Sequence, residues 1–372
     1  MSEVLRNLYL VVAQECNLAC TYCYAAGGGF GQPERHMPEA IMRRGLERLL
    51  PLAGERLTLS FFGGEPLLNF PLLEETVRYA SGLAAESGRG LSFALTTNGT
   101  LLDEAMLDFL ERHIAYLAIS LDGDAVANSG RVFRDGRPAF PVILDNLERL
   151  RQRGIPFALR ATVTPANVGQ VAETVVFLYA LGAQSVRVLP AQGVIWSATE
   201  QRQLRHAMAD LNRRGLRALL AGETPTACEH ALRLAVHTVA GEDAERPCLA
   251  GGGILALAAD GMLYPCEHFV GVDELAMGHV DDYPDARSRR IVARFAAATT
   301  AGRPRCQACA VRGACGGQCY AEAYLANGNI ELPAADYCGR IHATFRALAP
   351  DLAQGMADVE QAGRLRQAIG VE

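Results

Sequence analysis

The sequence predicts an α/β fold: a parallel sheet covered by helices, followed by a smaller cysteine-rich module. Three observations lead there. Six apolar, β-rich runs alternate with amphipathic segments over the first ~190 residues. These runs are apolar nearly throughout, as expected of strands buried on both faces. The last third changes texture, to short hairpins and turns that hold eight of the eleven cysteines.

Each element follows from its residues. Strands are expected at 7-NLYLVVA-13, 56-RLTLSFF-62, 91-LSFALTT-97, 115-AYLAISL-121, 157-FALRATV-163 and 185-SVRVLP-190. Helical patterns fill about 38–50, 71–87, 103–112, 141–153 and 168–181, and two more follow at 198–222 and 226–240. Repeated strand–helix–strand units make neighbouring strands parallel. An open doubly wound sheet and a partial barrel both satisfy this pattern, and periodicity leaves the choice open. In either case the chemistry belongs at the C-terminal ends of the strands. A cysteine loop follows strand one there, GGEP strand two and TNG strand three, while SLDG spans the end of strand four. Further on, 254-ILALAADGMLYPC-266 reads as a hairpin turning at Asp260-Gly261, and 340–368 returns to a helical pattern.

Composition narrows the classes. At 372 residues the chain is long for one domain. A net charge of −6 and a pI near 5.8 argue against a nucleic-acid or membrane-surface binder working through a basic patch. The polar start MSEVLRN runs straight into a strand, unlike a signal or transit peptide. No run approaches the roughly 18–20 apolar residues of a spanning helix. A cytoplasmic location is expected, and there eleven cysteines are unlikely to form disulfides.

The stretch 15-ECNLACTYCY-24 places Cys16, Cys20 and Cys23 at C-x3-C-x2-C spacing on a loop. Three thiolates can hold three irons of a [4Fe–4S] cluster and leave the fourth open. With Tyr22 before the last cysteine, the motif resembles the signature of the radical S-adenosylmethionine (SAM) enzymes. Gly63-Gly64-Glu65-Pro66 resembles that family's GGE motif, whose backbone and carboxylate hold the methionyl amine; alone it would read as a strand-to-helix turn with Pro at the first helical position. Thr97-Asn98-Gly99 and Ser120-Leu121-Asp122-Gly123 match stretches lining the active site in members acting on peptides. The resemblance also implies that Ser120 and Arg131 contact the ribose and carboxylate of SAM. One departure is visible: the family often carries a His-Asp pair before this arginine, where 126-VANSGR-131 stands here. A partial (β/α)6 TIM-like barrel over 1–225 is thereby implied. In it SAM is cleaved to a 5′-deoxyadenosyl radical that abstracts a substrate hydrogen.

The later thiols carry a second resemblance. Cys248, Gly261, Cys266, then Cys306-x2-Cys309-x5-Cys315-x3-Cys319 and Cys338 resemble the seven-cysteine SPASM module. This implies an auxiliary-cluster domain over 226–345, a helical tail over 346–372, and three [4Fe–4S] clusters in all beside SAM. Cys306, Cys309, Cys315 and Cys338 would hold one auxiliary cluster, and Cys248, Cys266 and Cys319 the other. Its fourth ligand normally lies shortly before Cys248, where Glu242, Asp243 and Glu245 stand; Cys228, an acid or an open position are the alternatives. On spacing alone, structural zinc competes with both clusters.

Glu267 follows Cys266, and in sulfatase-maturating relatives an acid there takes the substrate proton during oxidation. A carboxylate beside an anionic cluster should have a raised pKa, which suits a base; a solvated turn carboxylate is the plain alternative, and His268 is a weaker candidate. The activity implied is oxidative modification, by thioether or another crosslink, of a ribosomally made peptide. The run 24-YAAGGGFG-31 resembles thioether-forming maturases. Formylglycine formation in a sulfatase is the alternative, whereas a non-catalytic electron-transfer or zinc scaffold would not need GGEP and SLDG at strand ends. Implied partners are the peptide or protein substrate and an electron donor such as flavodoxin or ferredoxin. Because only about six residues precede strand one, leader recognition falls to a separate leader-binding protein or to a groove between the barrel and the module beginning near residue 248. Neither nucleic acid nor membrane is expected.

Overall fold

The computed structural model describes residues 4–223 and 229–370. All six expected strands form: β1 (Leu5–Ala13), β2 (Ala53–Gly63), β3 (Gly90–Thr97), β4 (Tyr116–Ser120), β5 (Ala158–Val163) and β6 (Ser185–Pro190). Between them run α1 (Glu39–Leu49), α2 (Phe70–Ser87), α3 (Glu104–His113), α4 (Phe140–Gln152) and α5 (Val171–Ala180). Strand order is β6-β5-β4-β3-β2-β1 followed by the hairpin strands β7 (Ile254–Leu257) and β8 (Leu263–Tyr264). The neighbours from β1 to β5 pair in parallel. The sheet ends at β6 and β8, so it is open, as the partial barrel requires.

The hairpin turns where the sequence places it, with Gly261 at φ +84°. Its pairing was not legible: β7 lies parallel to β1, Asn7 opposite Ile254 and Leu10 opposite Leu257. The stretch that opens the cysteine-rich texture therefore extends the main sheet.

Packing divides the chain into two compact units. The first comprises residues up to 160, 181–184 and 249–296. Its strands carry the core, with Leu8, Leu10, Leu59, Phe61, Leu95 and Ile119 at 1% exposure or less. Each such side chain contributes about 1.5–3 kcal/mol of burial. Helix ends here follow local chemistry. Asp103 caps α3 by accepting from the Met106 N–H at 2.8 Å, and α2 stops at the left-handed Gly88. The unit also holds α8 (Ala286–Ala297).

The second unit comprises 161–180, 185–248 and residues from 297 onward. Its helices are α6 (Ala198–Ala221), opened by a Ser197/Glu200 capping box, and α7 (Glu229–Ala235), then the short α9 (Pro304–Gln307), α10 (Arg312–Cys315) and α11 (Tyr320–Asn327). The helical tail is two helices, α12 (Ala335–Ala357) and α13 (Val359–Ile369), divided at Asp358, whose carboxylate caps the second. Leu216, Leu220, Ile341, Phe345, Leu348 and Leu365 form the apolar core of this unit. Among the described residues no helix is long and apolar enough to cross a membrane.

Candidate functional site

The polar motifs of the first unit meet at the C-terminal ends of β1–β4. β1 ends at Ala13 and the chain turns into the cysteine loop. Two segments clamp that loop through its backbone. From one side the Gly64 and Glu65 N–H groups donate to the carbonyls of Ala13 and Glu15, each at 2.8 Å. This approach explains the glycines: a Cβ on Gly64 would stand 2.2 Å from the Glu15 oxygen, and one on Gly28 would stand 2.7 Å from the Gly64 Cα. Gly63, at φ +150°, would strike the Ala13 oxygen at 2.2 Å. From the other side Ala19 and Thr21 donate to the carbonyls of Val132 and Gly130. Arg134 adds a side-chain clamp, its Nε donating to the Cys16 carbonyl at 2.7 Å while its other end meets Glu34.

Inside these clamps Cys16 is buried, its sulfur accepting from the Leu18 N–H at 3.4 Å and facing Asn98 Nδ2 at 3.7 Å. Burial pushes the Cys16 thiol up to about 12; the Leu18 N–H opposes this, and Glu65 and Cys20 add to it. Burial raises Cys20 too, against the pull of Arg131, with Cys23 also acting on it. A bound metal group is what converts such thiols to thiolates, with release of their protons. Among the described residues no three His, Cys, Asp or Glu side chains close on one metal ion. The loop instead offers three thiols in one short stretch, a donor set that fits an iron–sulfur cluster.

Glu65 is fully buried and its carboxylate is turned into the protein. It accepts from Thr97 Oγ1 at 2.8 Å and from the N–H groups of Leu67 at 3.0 Å and Asn98 at 2.7 Å. Burial raises it to about 7 despite these donors. Its work is to tie the GGEP turn, with Pro66 beginning the next short helix, to the TNG turn. Asn98 then donates to Asn17 Oδ1 at 2.8 Å, Asn17 to Thr100 Oγ1 at 2.8 Å, and the Thr100 N–H to Asn98 Oδ1 at 2.9 Å. Sequence reasoning missed Asn17 and Thr100, which carry no motif of their own.

Ser120 ends β4, opposite Arg160 of β5. Beside it Arg131 forks Asp122 with two 3.0 Å hydrogen bonds, and the Tyr22 hydroxyl donates to the same carboxylate. The Arg131 guanidinium also lies 5.5 Å from the Tyr22 ring centroid. Tyr22, the residue directly before the third thiol, is thus locked to the SLDG turn. Asn128 Oδ1 accepts from the Asp122 N–H at 3.1 Å, while its buried Nδ2 meets no acceptor among the described residues. It too was missed, standing where the His-Asp pair is absent.

Glu267 lies on the short turn after Cys266, nearly buried, its Oε1 3.6 Å from His268 Nε2. The His268 ring stands 4.5 Å from that of Tyr24, the residue after Cys23. Glu267, Arg160, Cys266 and Cys23 all lie within electrostatic reach of the Tyr24 hydroxyl. The structure thus brings the predicted acid to the end of the cysteine loop.

The second unit gathers Cys306, Cys309, Cys315 and Cys338: the last three all act electrostatically on the Cys306 thiol, and burial raises it, Cys315 and Cys338 alike. Four thiols within electrostatic reach of one another are a donor set that fits a complete cluster. His342 Nε2 lies 3.3 Å from Cys309 Sγ, another neighbour the sequence did not disclose. Cys248 and Cys319 are within reach of each other, burial and then Glu322 pushing Cys319 up to about 12. Cys266 belongs to the first unit, and Cys228 lies outside the described residues.

Comparison with known proteins bears on the fold that carries these residues. Residues 10–178 match the family model described as the radical SAM superfamily. An uncharacterized protein of Methanocaldococcus jannaschii is 31% identical over 186 residues, 50% of this chain and 63% of that protein, so the chain spans just under two thirds of that relative's length. The serine-type anaerobic sulfatase-maturating enzyme of Klebsiella pneumoniae is 24% identical over 344 residues, 86% of this chain and 82% of its own length. A solved structure of native anSMEcpe with bound AdoMet superposes with a TM-score of 0.78 at 18% identity, covering 94% of this chain and 98% of that one, a likeness of fold.

Proposed function

We propose, from the premise that this chain carries a radical SAM domain, that it oxidatively modifies a peptide or protein in a reducing, cytoplasmic setting. The observation that carries the reading is the meeting of Glu267 and His268 with Tyr24 at the end of the cysteine loop. A carboxylate base beside the radical-generating site is what substrate oxidation needs, to take the proton the substrate releases.

In this reading Cys16, Cys20 and Cys23 hold the SAM-binding [4Fe–4S] cluster. When bound, that cluster supplies the electron that cleaves SAM and yields the 5′-deoxyadenosyl radical. The protein's own part is positioning. The Gly63-Gly64 backbone meets the methionyl amine from a turn that Glu65 and Asn98 hold rigid. Ser120 and Arg131 reach the ribose and carboxylate, Arg131 from a position set by Asp122 and Tyr22. The Asn128 amide is a further donor beside them. Glu267 accepts the substrate proton. Cys306, Cys309, Cys315 and Cys338 hold one auxiliary cluster, and Cys248, Cys266 and Cys319 hold the other. The module boundaries near 225 and 345, the flavodoxin- or ferredoxin-type donor and a separate leader-binding partner belong to the same proposal.

Two products fit: a crosslinked peptide, thioether or otherwise, and formylglycine in a sulfatase. The second draws on the likeness to a sulfatase-maturating enzyme along 86% of this chain and on the placing of Glu267. The first draws on the glycine run 24-YAAGGGFG-31, which resembles thioether-forming maturases. The deciding experiment incubates anaerobically reconstituted protein with SAM, reductant and peptides carrying either a sulfatase-type Cys/Ser site or several cysteines. Mass spectrometry reads hydrogen loss, and a carbonyl-reactive probe separates aldehyde from crosslink. SAM cleavage without modification of any peptide or protein substrate would count against the whole reading.

A further inference from the structure

The second unit holds a buried cation with no counter-ion bonded to it among the described residues. Arg303 is 0% exposed. Its Nη1 donates to the Gln318 carbonyl at 2.9 Å, and its guanidinium lies 4.6 Å from the Tyr320 ring centroid. Its Nε and Nη2 are buried and meet no acceptor among the described residues. A guanidinium does not shed its charge in a protein. An unpaired buried charge is among the most costly things a core can contain. The packing nonetheless makes room for it: Gly317 sits at φ +90°, and a Cβ there would stand 2.7 Å from Nη1.

The neighbours suggest what the free N–H groups serve. The Arg303 carbonyl accepts from the Cys306 N–H at 2.9 Å, so the arginine precedes the first thiol of the four-cysteine set by one turn. Of all charged groups, Arg303 acts most strongly on the Cys306 thiol, ahead of Cys315, Cys338 and Cys309. Gln318, which receives Nη1, directly precedes Cys319.

We infer that Arg303 donates its Nε and Nη2 hydrogens to the anionic iron–sulfur group held by Cys306, Cys309, Cys315 and Cys338, and that it raises that group's reduction potential. The inference rests on the auxiliary-cluster reading above. Four thiolates outweigh the positive charge of a four-iron core, so the loaded site is anionic, and an added electron makes it more so. A fixed, desolvated cation therefore stabilises the reduced form more than the oxidised one. Hydrogen bonds to sulfur act in the same direction. Arg303 would set how readily that cluster is reduced.

The test uses the full chain, reconstituted anaerobically, with Cys16, Cys20 and Cys23 replaced by Ala so that only auxiliary signals remain. Absence of iron in that protein overturns the auxiliary reading and this inference together. With iron present, redox titration followed by electron paramagnetic resonance compares Arg303, Arg303→Gln and Arg303→Lys. Arg303→Gln should lower one midpoint by at least the ~59 mV that a tenfold change in reduced-to-oxidised ratio represents for one electron. Arg303→Lys, which keeps the charge, should stay near the parent. Equal midpoints in all three overturn the inference and leave the auxiliary reading intact. Should either variant fail to hold iron, the parent protein labelled with 15N-guanidino arginine decides: the reduced cluster should show magnetic coupling to an arginine nitrogen, and no such coupling overturns the inference.

Discussion

Arg131 grips both oxygens of Asp122 at 3.0 Å inside the protein, and Tyr22 shares the same carboxylate. The pair joins the turn after β4 to the loop that carries three thiols. Removing one partner strands the other charge, which costs about 3–5 kcal/mol. Asp122→Asn should therefore lower the urea midpoint of the protein and reduce the iron retained by the cysteine loop. An unchanged midpoint would mean that the pair is incidental.

The triple replacement of Cys16, Cys20 and Cys23 by Ala should abolish 5′-deoxyadenosine formation under strong reductant. Iron bound by the later cysteines should stay. Chromatography of the nucleoside products, with iron counted on the same sample, checks both. Continued SAM cleavage would remove these thiols from the reaction.

Glu267→Gln keeps the shape beside His268 and Tyr24 but cannot take a proton. It should still produce 5′-deoxyadenosine and give at least tenfold less modified peptide, a barrier increase of about 1.4 kcal/mol or more. Product yield equal to the parent's would return Glu267 to the role of a turn carboxylate.

Gly64→Ala places a methyl 2.2 Å from the Glu15 carbonyl oxygen. Backbone cannot swing aside as a side chain can, so the substitution should cost at least the roughly 1–3 kcal/mol of overpacking. It should lower the melting temperature and the iron content together. Gly82→Ala, inside α2 with nothing within 4 Å of its Cβ, is the control: it should leave the iron content unchanged and, by replacing a helical glycine, should not lower the melting temperature.

His230 packs 6.3 Å from the Phe345 ring, and burial holds it down to about 4 against an ordinary 6.5. The unfolded chain therefore takes up this proton first. The stability involved is fully present above pH 6.5 and is lost as pH falls through 4. Its size is on the order of 3 kcal/mol. Denaturant midpoints between about pH 7 and pH 4 should fall less steeply in His230→Phe than in the parent.

Much of this was legible in the sequence, for physical reasons. Strands buried on both faces must be apolar throughout, so β1 to β6 stood out. The thiol spacing and the GGEP, TNG and SLDG turns stood out because unusual backbone leaves glycine behind. What stayed hidden were single polar residues whose meaning lies in a distant partner. Nothing near Asn17 announces Thr100, nothing in 126-VANSGR-131 announces the buried amide of Asn128, and one arginine before Cys306 looks like any other. Glu65 was legible as a motif but its partners were not, since only packing reveals that its oxygens face Thr97 and Asn98.

The pairing of β1 with β7 has a consequence for how the chain is made. Asn7 finds its partner Ile254 about 250 residues later. At a translation rate of about 5–20 residues per second, one edge of the first strand waits on the order of 10–50 s before its neighbour exists. Throughout that interval the nascent chain exposes an apolar strand with open hydrogen-bonding groups, the kind of edge that recruits other strands. Contacts this distant also slow folding, because a long loop must close before they form. Expression yield should therefore respond strongly to growth temperature and chaperone supply, and a chain truncated before residue 254 should aggregate.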